Sequence, residues 1–191
     1  MKLPIEILRI CRGISYFLRY LVIELPRGLN ISPRSKSVGI TLQGNHGYAL
    51  TSRAALKNML TGIDLQNQSF LDIGSGKGGV VIYSRQLGCL NSAGIEFEKP
   101  LHEMAVKNIE ILKLNAHCTS YNLDARDFKS YADFDIFFMF NPFDDDIYEA
   151  VIKEIKLQLL ESDLSRARYL ICYGGANIDA GAFKGSVQHL V

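Results

Sequence analysis

The chain has almost no net charge. Its 191 residues include 21 Lys and Arg against 20 Asp and Glu, a formal charge of +1. That balance removes any global pull toward nucleic acid or an anionic surface. Cysteine is sparse and unpaired in sequence: Cys11, Cys89, Cys118 and Cys172 form no C-x-x-C motif. Each lies in an apolar run, the pattern of buried thiols in a reducing compartment such as the cytoplasm and not of a disulfide framework. The histidines (His46, His102, His117, His189) lack metal-ligand spacing, so no structural metal is expected. No uncharged apolar run approaches the ~20 residues that span a bilayer. No A-x-A-like cleavage site follows the apolar start, which weighs against a signal peptide. Only sixteen residues follow Gly175.

What is there is globular in composition, with 48% hydrophobic and 21% charged residues. The length fits one domain with a small appendage. Charge is unevenly spread: residues 1–60 hold nine basic and two acidic residues, while 61–191 hold twelve and eighteen. Residues 3–25 are apolar apart from polar interruptions that include Glu6, Arg9, Arg12, Arg19 and Glu24. At 100° per residue those charges share one face, so the spacing predicts an amphipathic helix that stops near Pro26-Arg27-Gly28. Three roles fit it. It packs on the domain's own core or on a second copy, it lies on a membrane surface with its arginines at the headgroups, or it grips an acidic substrate. Residues 27–47, rich in Gly, Ser, Asn and basic residues, read as a loop or linker. The division is therefore an extension over 1–47 and a domain over 48–191.

From Ser52 onward, strand and helix patterns alternate. Strands are predicted at Ser69–Gly74, Asn91–Phe97, Cys118–Leu123, Asp135–Phe140 and Tyr169–Tyr173, with a short sixth over 186–190. Helices are predicted over 52–61, 78–88, Pro100–Leu114 and 144–161. This order predicts an α/β fold: a Rossmann-like, doubly wound, mostly parallel sheet of about six strands, shortened at its C-terminal end. In such sheets ligands bind at the carboxyl ends of the strands.

The run Asp72-Ile-Gly74-Ser75-Gly76-Lys77-Gly78-Gly79 follows the first strand and opens a helix. Through Gly74, Gly76 and Gly79 it also fits the dinucleotide pattern G-x-G-x-x-G, which would seat a pyrophosphate. Asp72 argues otherwise, because a carboxylate there repels phosphate and suits a cation. A P-loop is excluded, since Lys77 is followed by glycine and not by Ser or Thr.

With its D-x-G-x-G-x-G motif the chain resembles the class I S-adenosylmethionine-dependent methyltransferases over about residues 48–175. The resemblance implies S-adenosylmethionine as cofactor, held by Asp72, Gly74, Ser75, Gly76 and Gly78 of the glycine loop. It places Glu96, with Phe97 beside it, at the ribose hydroxyls, and Asp124-Ala125 at the adenine. Glu98 and Asp127 are the rivals of Glu96 and Asp124. Asn141-Pro142-Phe143 ends the fourth strand and resembles the [DNS]-P-P-[YF] motif of N-methyltransferases, one residue short. It implies Asn141, Pro142 and Phe143 as the catalytic turn, with Asn141 also near the cofactor. The motif set DIGSGKG, GIE and FNPF resembles a group of bacterial class I methyltransferases and, more distantly, the non-SET histone-lysine methyltransferases. In that comparison Tyr48 and Thr51 close over the cofactor, although Thr51 or Ser52 could equally be a helix N-cap.

The resemblance thus implies an active N-methyltransferase acting on a protein side chain or another amine, and the basic N-terminal segment would face an acidic protein as partner. The alternatives are a small-molecule or lipid-linked methyltransferase at a membrane surface, and a non-catalytic cofactor-binding scaffold. The absence of a basic stripe with interleaved aromatics beyond residue 36 weighs against nucleic acid. A homodimer through the N-terminal helix stays open, as does a peripheral membrane location.

Overall fold

The computed structural model describes residues 11, 14–33, 49–140, 142, 144–160, 166–172 and 186–189. Six strands form one sheet: β1 (Ser69–Ile73), β2 (Asn91–Glu96), β3 (Cys118–Asn122), β4 (Ile136–Met139), β5 (Tyr169–Cys172) and β6 (Ser186–His189). Their order is β3-β2-β1-β4-β5-β6. The first five run parallel, and β6 pairs antiparallel with β5. Helices α1 (Arg53–Met59), α2 (Gly79–Leu87), α3 (Lys99–Ile111) and α4 (Asp145–Leu160) connect and flank the strands. Every predicted strand and helix of the domain is present, with ends trimmed by a few residues.

The strands form where apolar residues crowd both faces, as burial between two helical layers requires. Alternation sends Phe70, Ile136, Phe138 and Ile171 into one core, shared with Val81, Ile82, Leu56 and Ile109. It sends Leu71, Ile73, Phe137, Met139 and Leu170 into the other, against Val151, Ile155 and Leu159 of α4. Asp72 is in phase with Phe70 and therefore shares the α2 side of the sheet. Ser52 is the N-cap of α1, its Oγ accepting from the Ala55 N–H at 3.2 Å. That settles the cap in favour of Ser52 over Thr51.

The amino-terminal ends of three neighbouring strands meet at one buried carboxylate. Asp135, immediately before β4, is 1% exposed. Its Oδ2 accepts from the Ser69 N–H of β1 at 2.8 Å. Its Oδ1 accepts from Arg168 Nη1 at 2.6 Å, and Arg166 pairs with it from the surface. Its backbone bonds both ways as well, Asp135 N–H to Ser69 O at 2.9 Å and Tyr169 N–H to Asp135 O at 2.8 Å.

The N-terminal segment is not a detached extension. Residues 14–19 are α-helical, Tyr20–Glu24 form a π-turn, and Leu25–Arg27 form a 3-10 turn ending at Gly28 in the left-handed region. The stop at Pro26-Arg27-Gly28 matches the sequence reading. Beyond it, Leu29 and Ile31 are buried in the α2-side core. The orientation of the helix is unexpected, because its polar side faces the domain. The Tyr16 hydroxyl donates to Leu50 O at 3.2 Å, and the Arg19 guanidinium lies 5.3 Å from the centre of the Tyr83 ring. Glu24 is fully buried and accepts from the Ile31 N–H, the Ser32 N–H, the Ser32 hydroxyl and Arg19 Nε. Burial alone would raise the Glu24 carboxyl, but these donors outweigh it and hold the group below the ordinary carboxylate range.

The cysteine expectation needs one correction. All four are free, and Cys89 and Cys118 are buried, their thiols pushed by burial up to about 12 and about 11. Cys172 is half-buried and Cys11 is exposed.

Asp135→Ala would strand the buried Arg168 guanidinium and the Ser69 N–H. We expect it to cost about 3–5 kcal/mol in urea unfolding. Arg166 is 43% exposed on its side chain, and Arg166→Ala is expected to cost less than about 1 kcal/mol in the same assay.

Candidate active site

The carboxyl ends of β1, β2 and β4 lie side by side, with Ile73 in register with both Ile95 and Met139. Between β1 and α2 runs the glycine loop. The Gly74 and Ser75 N–H groups both donate to Ile95 O at 2.9 Å, which folds the loop over the end of β2. Gly74 has φ +81, and a Cβ there would collide with the Cβ of Pro142 from the turn after β4. Gly78, at φ +75, is the N-cap of α2, and a Cβ there would sit 3.0 Å from Ala105 Cβ of α3. Glycine is required at both places, by backbone conformation and by close approach. Ser75 fills the space that Gly94 leaves open on the neighbouring strand.

Two carboxylates stand under this loop. Asp72 is 3% exposed and Glu96 is 7% exposed. Alternation places Asp72 on the same sheet face as Gly94, its register partner, and as Glu96 two residues further on. Burial pushes Asp72 well above the ordinary carboxylate range, and the Glu96 charge pushes it further. Glu96 is also raised, by burial, although its Oε2 accepts from the Gly76 N–H at 2.7 Å and its Oε1 from the Glu98 N–H at 2.8 Å. Its rival Glu98 serves as N-cap residue of α3. Two buried carboxyl groups that resist ionisation, with loop N–H groups at their edge, form a site that gains from a cationic ligand carrying hydroxyls. Among the described residues, Thr51 Oγ1 and the glycine-loop Ser75 Oγ are buried without a hydrogen-bond partner; a polar ligand beneath the loop would satisfy Ser75.

The other anticipated residues fall as follows. Phe97 follows Glu96 and is 47% exposed, its ring open beside the strand ends. Asp124 is the N-cap of a 3-10 turn over Ala125–Asp127, accepting from the Arg126 N–H at 2.9 Å and from Arg126 Nη2 at 2.6 Å. The hydrogen bonds from the Arg126 side chain hold it below the ordinary carboxylate range. Its rival Asp127 lies in the turn that Asp124 caps. Ala125 is buried, its carbonyl accepting from the Tyr131 hydroxyl at 2.6 Å. Pro142 packs on Gly74. Tyr48, Asn141 and Phe143 lie outside the described residues. Among the described residues, no three His, Cys, Asp or Glu side chains converge on a metal site.

One part of the site was not anticipated. Lys77, inside the glycine loop, is 1% exposed. Its Nζ donates to Asn30 Oδ1 at 3.0 Å and to Ser32 O at 3.2 Å. Asn108 of α3 closes the node: its Oδ1 accepts from the Asn30 N–H at 2.9 Å, and its Nδ2 donates to Asn30 O and Lys77 O at 3.1 and 3.0 Å. The signal in the sequence was Asn108 itself, an amide on the apolar stripe that carries Leu101 and Ala105.

The strand order, the glycine loop and an acid at the end of β2 define the S-adenosylmethionine-dependent methyltransferase fold. Solved structures share that fold. An RNA methyltransferase from Salinibacter ruber in complex with S-adenosyl-L-homocysteine superimposes at TM-score 0.57 and 16% identity, covering 73% of this chain and 90% of its own. The Escherichia coli protein yhhF gives 0.55 and 18%, covering 72% and 80%. The mitomycin 7-O-methyltransferase MmcR gives 0.54 and 16%, covering 68% of this chain but 38% of its own. No curated protein matches the chain in sequence. Residues 41–154 match the family of the histone methylation protein DOT1. That stretch is well over half of the chain, and the chain belongs to this family of methyltransferases.

Because Asp72 holds its proton more tightly folded than unfolded, the stability it lends is complete below its ordinary value of 3.8 and is lost as pH rises through the raised folded value. At neutral pH, Asp72→Asn should therefore melt higher than wild type in the absence of ligand, with the gap closing as pH falls toward 3.8. The same variant should bind S-adenosylmethionine at least about tenfold more weakly by calorimetry, having lost a charged partner.

Proposed function

We propose that this protein binds S-adenosylmethionine beneath its glycine loop and methylates an amine nitrogen, on a protein side chain in the first instance. The observation that carries the reading is the pair of buried carboxylates, Asp72 and Glu96, whose cost in the ligand-free state a cationic, hydroxyl-bearing cofactor offsets. Asp72 faces the amino-acid end of that cofactor, and Glu96 takes its ribose hydroxyls. Phe97 covers a face of the adenine, while Ala125 and Asp124 border it. Thr51 and Tyr48 close over it from the N-terminal side. When bound, S-adenosylmethionine supplies a methyl carbon whose bond to cationic sulfur breaks as an acceptor lone pair attacks in line.

The turn after β4 orients that lone pair. Asn141 Oδ1 and a backbone carbonyl of the turn accept the acceptor's N–H hydrogens, Pro142 fixes the turn, and Phe143 packs against the acceptor. The acceptor amine gives up a proton to solvent to expose its lone pair, so the protein contributes position and not a strong general base. The family's description as a histone methylation protein supports a protein acceptor. The mixed acceptors of the fold neighbours, RNA and mitomycin among them, leave acceptor class to the turn and its surroundings.

Calorimetric titration with S-adenosylmethionine, S-adenosylhomocysteine and NAD tests the cofactor. Binding of the first two and not of NAD supports the reading, while binding of none overturns it. Transfer of labelled methyl to acidic and basic protein substrates then tests the acceptor. Asn141→Ala should reduce turnover about 100-fold with little change in cofactor affinity. Equal loss of both would remove Asn141 from the chemistry.

A further inference from the structure

The N-terminal helix turns its polar residues inward and its apolar ones outward. Tyr16 and Arg19 contact the domain at Leu50 and Tyr83, while Glu24 is buried against Arg19, Ile31 and Ser32 of the same segment. Ile14, Phe17, Leu18, Leu21, Val22 and Leu25 are all exposed, from 41% at Leu21 to 68% at Val22. Their spacing of three and four residues makes one continuous stripe along the helix. The π-turn over Tyr20–Glu24, closed by the Leu25 N–H to Tyr20 O, inserts an extra residue into the turn. That insertion brings Glu24 round to the inward side and keeps Val22 and Leu25 on the outward one. Soluble monomers rarely leave so many large apolar side chains contiguous and uncovered.

We propose that this stripe docks on the surface of an anionic lipid bilayer, with the helix lying in the interface and the domain mounted on its polar side. Charge selects this occupant. Residues 1–36 carry seven Lys and Arg against two Asp and Glu, and one of those acids, Glu24, is buried against Arg19. Arg27 is exposed at the end of the stripe, its Nη1 donating to Ile23 O at 2.9 Å. The remainder of the chain is net acidic, so an anionic surface attracts the segment, repels the body and fixes the orientation. A second copy is disfavoured by the same charges, because a two-fold contact through the stripe sets one basic segment against the other. A protein groove fits less well than lipid. The stripe is aliphatic with a single Phe, whereas the anchors of protein interfaces are Trp, Tyr and Arg. The helix lies on the bilayer and does not cross it, since no described helix is long and apolar enough to span.

The test uses the full chain and vesicles of phosphatidylcholine with 30% phosphatidylglycerol, compared with vesicles of phosphatidylcholine alone. Co-sedimentation should show partition at least about tenfold higher on the anionic vesicles, falling as salt is raised. Phe17→Glu with Leu21→Glu places two charges on exposed positions, and should lower that partition at least about tenfold while leaving the far-UV spectrum and melting temperature unchanged. The chain has no Trp, so Phe17→Trp adds one reporter whose emission should shift to the blue on anionic vesicles. This arm stands even if the double variant folds poorly. Failure of the wild type to sediment with anionic vesicles overturns the proposal. So does a tryptophan emission that stays in water. A dimer by light scattering that the double variant converts to monomer would assign the stripe to a second copy instead.

Discussion

Two carboxyl groups buried on one sheet face at the ends of neighbouring strands set the terms for this molecule. An isolated carboxylate loses its hydration on burial and resists ionisation. At Asp72 the Glu96 charge adds to that cost. What surrounds them follows from the cost. The glycine loop folds tightly enough to deliver the Gly76 N–H to Glu96. Gly94, in register beside Asp72, leaves room for Ser75. At the opposite end of the same strands, Asp135 is buried just as deeply but surrounded by Arg168, Arg166 and a backbone N–H. One end satisfies its anion internally and serves stability. The other leaves its anions to be satisfied by a ligand and serves binding.

Most of the fold was legible because each element carries a single unambiguous period. Parallel strands buried on both faces read as continuous apolar runs, and DIFFMF and YLICY admit no other assignment. The glycine loop was legible because an acid, three alternating glycines and a helix start occur in one run. The N-terminal helix was legible as a helix but not in its orientation. Sequence gives the two faces of an amphipathic segment and not which one meets the core. Here a π-turn also shifts the phase midway, which no regular 3.6-residue count reproduces. Glu24 belongs to the charged face in the sequence and is instead buried, accepting from Ile31 and Ser32.

Residues whose roles depend on partners far along the chain were the least legible. Lys77 reads as a loop cation, yet it is buried against Asn30 and Ser32, more than forty positions earlier. Asp124 reads as a strand-end ligand for the cofactor and has a local task in addition, capping a short turn and pairing with Arg126. Both are questions of competition for one side chain, settled by three-dimensional proximity. The Lys77–Asn30–Asn108 node joins the glycine loop, α3 and the N-terminal segment. The segment that carries the apolar stripe is therefore part of the support of the site.

The clamp at Asp135 gives the sheet a mechanical character. Strands β1, β4 and β5 are fastened to one another at their amino ends by side-chain and backbone bonds converging on one residue. Asp135 is therefore a keystone: the alignment of three strands converges on one side chain, and through β1 and β4 so does the seating of Pro142 against Gly74.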